Sequence, residues 1–106
     1  MNNRLPIDID ANELAIVKAV LARHVPYATV WVFGSRVKGA AKKFSDLDLC
    51  IKAEQALGLD VMSAMAHDFA ESDLPWKVDI VDWWCVSDSF KAIIERNKVP
   101  LCPTCG

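Results

Sequence analysis

Ala28-Thr29-Val30-Trp31-Val32-Phe33-Gly34-Ser35 is followed, after ten further residues, by Asp46-Leu47-Asp48-Leu49-Cys50-Ile51. The first run is rich in β-branched and aromatic residues, the composition of a central strand. Gly34 permits a sharp turn and a close backbone approach. Ser35 stands where a helix through Ala41 would begin, and serine is a good N-cap. Helix N-termini carry unpaired N–H groups and a partial positive charge, which together favour a phosphate. The Ser35 hydroxyl adds another donor. A Gly-Ser turn alone is weak evidence, since many such turns only cap a helix. The Gly-Lys-Ser/Thr ending of a Walker loop is absent.

The second run alternates polar and apolar residues, the period of a strand with one buried face. Residues two apart on a strand point the same way, with backbones roughly 6.5–7 Å apart. Asp46 and Asp48 therefore share a face, and two such carboxylates repel each other unless a cation lies between them. Hard oxygen ligands of this type suit Mg²⁺ or Mn²⁺, which complete their shells with water and substrate phosphates. A solvated strand end bearing two acids is the plainer alternative. A phosphate site beside a divalent-cation site points to a nucleoside triphosphate with its metal.

Gly34-Ser35, ten residues, then Asp46-x-Asp48 resembles the signature of the minimal nucleotidyltransferases of the DNA polymerase beta superfamily. Within it the chain looks most like the small subunits encoded beside a helical HEPN-type partner, some of which form toxin–antitoxin pairs. The family expects a third acid in a hydrophobic-Asp-hydrophobic setting on a later strand, and Val78-Asp79-Ile80 matches. The resemblance spans nearly the whole chain. It implies an α/β (α+β) fold in which a small mixed sheet brings the three acids into one cleft. It further implies Mg²⁺ or Mn²⁺ on Asp46, Asp48 and Asp79, and ATP held by Gly34 and Ser35 at its terminal phosphates. The implied reaction moves AMP to a hydroxyl, with a tyrosine of the HEPN-type partner as acceptor, so that the chain is an enzymatic antitoxin. A non-catalytic nucleotide-binding subunit that neutralises its partner by contact is the alternative. The third acid favours the enzyme, because a pure binder has no need of it. Transfer to a small molecule would need an acceptor pocket for which the chain is short.

The chain has 106 residues, of which 53% are hydrophobic, and no internal repeat. That suffices for one core and one domain over 1–106, but not for a second, substrate-binding domain. The acceptor is thus expected on another chain. No stretch approaches a membrane span, and Met1-Asn2-Asn3-Arg4 is not a secretory start, so a cytoplasmic protein is expected. A net charge of −2 argues against an extended nucleic-acid surface. Yet Arg36, Lys38, Lys42 and Lys43, 4 of the 12 Lys and Arg, fall between Ser35 and Asp46. A local cationic wall in an acidic protein suits a small polyanion. Arg36 and Lys38 are its better candidates, offsetting charge on a leaving pyrophosphate; Lys42 and Lys43 read more simply as a charged loop.

Outside the motif, Asp10-Ala11-Asn12-Glu13 has capping-box spacing, followed by Leu14, Val17, Leu21 and Val25 at helical intervals until Pro26. A second helix is expected from about Asp60 to Glu71, burying Val61, Met65 and Phe69. A third strand is expected over Trp76–Val81, and a last helix capped by Ser87 with Phe90, Ile93 and Ile94 inward. The helices are expected on one side of the sheet. Asp82, three residues after Asp79, alternates to the opposite face and reads as a strand-end residue rather than a ligand. His24 and His67 lie on helices away from the motif. Trp31 and Trp76 read as core or edge packing, and Trp83 and Trp84 as adjacent aromatics that cannot both face one core and so suit a partner surface. The four cysteines are expected reduced. Cys102-Pro103-Thr104-Cys105 is half a zinc knuckle or a redox pair, but zinc takes four ligands and no second Cys-x-x-Cys exists. A flexible, Cys-containing tail over 99–106 is the expectation.

Overall fold

The computed structural model describes residues 9–34 and 46–101. The first helix, α1 (Ala11–His24), starts where the capping box predicts it. The Glu13 N–H donates to Asp10 Oδ1 at 2.8 Å, and the Asp10 N–H donates back to Glu13 Oε1 at 3.0 Å. Then come β1 (Thr29–Phe33), β2 (Leu47–Lys52), α2 (Leu59–Ala70), β3 (Val78–Asp82), a 3₁₀ turn (Trp83–Cys85), α3 (Asp88–Asn97) and β4 (Val99–Pro100). Ser87 caps α3 by accepting from the Phe90 N–H at 3.2 Å. The third strand starts two residues later than the apolar run suggests, and Trp76 is instead buried in the core ahead of it.

The four strands lie in the order β3-β2-β1-β4. β1 runs antiparallel to both β2 and β4, whereas β2 and β3 are parallel, with α2 as the crossover parallel strands require. Strand alternation divides the side chains between two faces. On one face Val30, Val32, Leu47, Leu49 and Ile51 join Val17, Leu21, Met65 and Phe69 of α1 and α2 in the main core. On the other, Phe33 and Cys50 pack with Ile94, flanked by Trp31, Val81, Trp83 and Phe90.

The expectation of helices on one side is therefore corrected: α3 lies across the face opposite α1 and α2. The stripe that seats it is narrow. Ile94 is fully buried and Phe90 partly so, but Ile93 is 46% exposed, because only part of this face is covered. The C-terminal expectation changes as well. Val99–Pro100 pairs with Trp31 and Val32 as an edge strand, and Leu101 is buried with its N–H donating to Val30 O at 2.8 Å. Proline is tolerated there because an edge strand has one side without ladder bonds. The Cys102–Cys105 pair lies outside the described residues.

Candidate active site

β2 presents Asp48 and Cys50 on the face shared with α3. Its parallel register with β3 sets Asp48 beside Asp79, two strands whose backbones run roughly 4.8 Å apart. On its other side Asp48 pairs with Phe33, the last residue of β1, so Gly34 arrives next to the Asp48 carboxylate. Gly34 has φ +85°, a conformation L side chains rarely adopt, and a Cβ there would collide with Asp48 Oδ2. Both conditions demand glycine. Asp46, exposed just ahead of β2, completes the acid group.

The electrostatics follow from this crowding. Burial raises the Asp48 pKa above its ordinary value, and the charges of Asp79 and then Asp46 raise it further. Asp79 lies 3.6 Å from Lys77, a half-exposed ion pair at the site's edge. Among the described residues no three His, Cys, Asp or Glu side chains form a set that could hold a metal ion as placed. The donor chemistry nonetheless fits one: hard carboxylate oxygens on one face, mutually repelling, beside a backbone with no side chain in the way. A cation there would offset the burial of the Asp48 charge and relieve its repulsion by Asp79 and Asp46.

Of the residues singled out in the sequence, Gly34, Asp46, Asp48 and Asp79 are thus brought to one end of one sheet face. Ser35, Arg36 and Lys38 lie outside the described residues, as do Lys42 and Lys43. Asp82 points into the opposite face and is buried, accepting from the Leu57 N–H at 2.6 Å and the Trp84 N–H at 3.0 Å. It is a structural clasp, as alternation implied. His24 is likewise structural, 2.5 Å from Asp68 of α2, which also receives Arg23 at 3.1 Å. Sequence reasoning missed Lys77, whose only signal was its position two residues before the third acid.

Residues 16–103 match the family described as Polymerase beta, Nucleotidyltransferase. The chain belongs to that family. A relative from Haemophilus influenzae, described as a probable protein adenylyltransferase MntA, is 50% identical over 99 residues, covering 93% of this chain and 87% of the relative. Among solved structures, a toxin–antitoxin with AMP-PNP superposes with a TM-score of 0.72 at 24% identity, covering 83% of this chain and 71% of that one. A second, the tri-AMPylated Shewanella oneidensis HEPN toxin in complex with its MNT antitoxin, has a TM-score of 0.63 at 25% identity, covering 85% of this chain and 68% of its counterpart. The likeness of the chain to split HEPN–MNT pairs agrees with the resemblance read from the motif.

Proposed function

We propose that this chain is a cytoplasmic adenylyltransferase that moves AMP from ATP to a tyrosine hydroxyl of a HEPN-type partner, acting as the antitoxin of the pair. The observation that carries the proposal is the register placing Asp48 beside Asp79 with Gly34 against them. The half-identical MntA relative and the AMPylated HEPN–MNT complex supply the substrate class. Among the described residues no helix is long and apolar enough to cross a membrane.

In this mechanism the acceptor oxygen attacks the α-phosphorus, the bond to the bridging oxygen breaks, and pyrophosphate leaves. Gly34 leaves open backbone for the terminal phosphates, with Ser35 as a further donor. Arg36 or Lys38 offsets the charge accumulating on pyrophosphate. Asp46, Asp48 and Asp79 would hold Mg²⁺ or Mn²⁺, which when bound screens the phosphate oxygens and lowers the pKa of the acceptor hydroxyl. Asp79, on the outer strand of the three-acid group, orients that hydroxyl and takes up its proton.

Incubation of the purified chain with ATP, Mg²⁺ and the HEPN-type protein encoded beside it, followed by intact mass measurement, tests this reading. AMP-sized additions on the partner are expected, and none when Mg²⁺ is chelated. A tight complex without a mass change would instead support silencing by contact alone.

A further inference from the structure

At the far end of the acid-bearing face lies a cluster the transfer reaction does not use. Lys52 Nζ is 5.4 Å from the ring centroids of both Trp83 and Trp84, and Lys91 Nζ is 5.4 Å and 6.0 Å from the same two rings. Trp83 is braced edge-on by Trp31 at 5.6 Å. The Trp84 indole N–H donates to Ala53 O at 2.9 Å, which fixes a ring that is 45% exposed. Neither Lys52 nor Lys91 has a salt bridge among the described residues. Of the carboxylates nearby, Asp82 accepts from two backbone N–H groups and Glu95 pairs with Lys98 at 2.9 Å, while Glu54 and Asp88 are exposed. Two ammonium groups that form no ion pair among the described residues converge on rigid aromatics, giving a half-apolar platform with cationic tips.

We propose that Lys52, Lys91 and Trp84 dock an acidic segment of the acceptor protein, its carboxylates meeting the two ammonium groups and its apolar side chains the exposed Trp84 edge. The proposal rests on the adenylyltransferase reading and adds how the acceptor is held. Single-stranded nucleic acid fits less well, since base stacking needs open ring faces and both rings already carry two ammonium groups. Lys52 and Asp48 sit four residues apart on one face of β2, about 13 Å at the rise of a strand. Cys50 and α3 close the face between them, so a segment bound at the platform reaches the three acids only by passing around α3.

The test compares the parent chain with Lys52→Glu/Lys91→Glu, measuring affinity for the HEPN-type partner across salt concentrations, and AMP transfer by mass. The charge-reversed variant is expected to bind at least about tenfold more weakly and with a shallower salt dependence, while transfer at saturating partner stays within about twofold. A thermal melt matching the parent shows that the variant is folded, and Trp84→Ala, which leaves both charges, should weaken binding without changing the salt slope. Partner affinity within twofold of the parent overturns the proposal, as does a parent chain that does not bind the partner. So does RNA binding by the parent, tested with a short single-stranded oligonucleotide, that the charge reversal abolishes. A parent that binds with the expected salt dependence but transfers no AMP overturns the adenylyltransferase reading and leaves the docking surface standing.

Discussion

On one face of the sheet Val30, Val32, Leu47, Leu49 and Ile51 lie almost wholly buried beneath α1 and α2. On the other, the residues that alternate with them include Asp48, Cys50, Lys52, Trp31 and Phe33, covered only in the middle by α3. The first face is uniform in chemistry. The second carries carboxylates at one end, a small apolar plug at its centre and lysines over indoles at the other. Burial of the first stabilises the fold, so the second can hold repelling charges that destabilise it.

This division is most sharply tested at Asp48. Asp48→Asn should reduce AMP transfer on the order of a thousandfold, the loss of several kcal/mol of transition-state stabilisation at 1.4 kcal/mol per tenfold. The same change should leave the fold intact and raise its melting temperature at neutral pH without divalent cations. The sign follows from linkage. The folded-state pKa of Asp48 is raised, so the folded chain holds its proton longer than the unfolded chain does. Stability therefore falls as pH rises from the ordinary carboxylate range through the raised value, and the substitution should flatten that fall. Transfer within a few-fold of the parent would remove Asp48 from the site.

The opposite behaviour is expected one residue away. Leu49→Ala should cost about 2–5 kcal/mol in urea denaturation, because it removes a fully buried side chain from the main core. Activity per folded molecule should survive. A stability loss below 1 kcal/mol, on the order of an exposed substitution, would show that this face is less tightly packed than it looks.

Gly34→Ala joins the two kinds of effect. An alanine at φ +85° costs about 1–2 kcal/mol, and its methyl group would also displace the Asp48 carboxylate. Loss of transfer should thus exceed what the change in stability explains. Parent-like kinetics would mean that the turn can relax away from Asp48.

The smallest effect is expected on the buried side, at the α1–α2 contact. The His24 hydrogen bond, with help from Arg23, holds the Asp68 carboxyl below its ordinary pKa. A lowered carboxylate contributes stability above the unfolded pKa and loses it as pH falls through the folded value. Asp68→Asn should lower the melting temperature slightly at neutral pH and not at all in strong acid. A pH-independent difference would assign the contact to packing rather than to charge.

How far the sequence reached can be judged element by element. The capping box at Asp10 and Glu13, the Ser87 cap and the alternation through β2 were legible because each depends on residues a few positions apart. Gly34, Asp46, Asp48 and Asp79, spread over 46 positions, became legible as a motif only through the family resemblance, with the third acid marked by its apolar neighbours. The far-side position of α3 was not, since its sequence states that one stripe is apolar but not which surface receives it. Nor was β4, where two residues pair only because β1 offers an open edge. Trp83 and Trp84, adjacent aromatics, suit a partner surface on sequence grounds, but their local conformation is not legible there. The pair forms a 3₁₀ turn, capped by Asp82, whose rings lie beneath Lys52 of β2 and Lys91 of α3.

The amino-acid order alone indicated where α1 and α3 begin, which side chains of β2 alternate inward, and which residues are candidates for the chemistry, because hydrogen bonding and side-chain direction act over one turn or one pleat. Tertiary structure decided that Asp48 and Asp79 are neighbours, that a glycine must pass beside them, and that α3 divides their face into an acidic and a cationic end. The first is a matter of register between β2 and β3, which α2 separates in sequence, the second of register between β1 and β2, and the third of helix packing. No local rule contains them, since the pairing that wins is the one that buries both apolar faces at once.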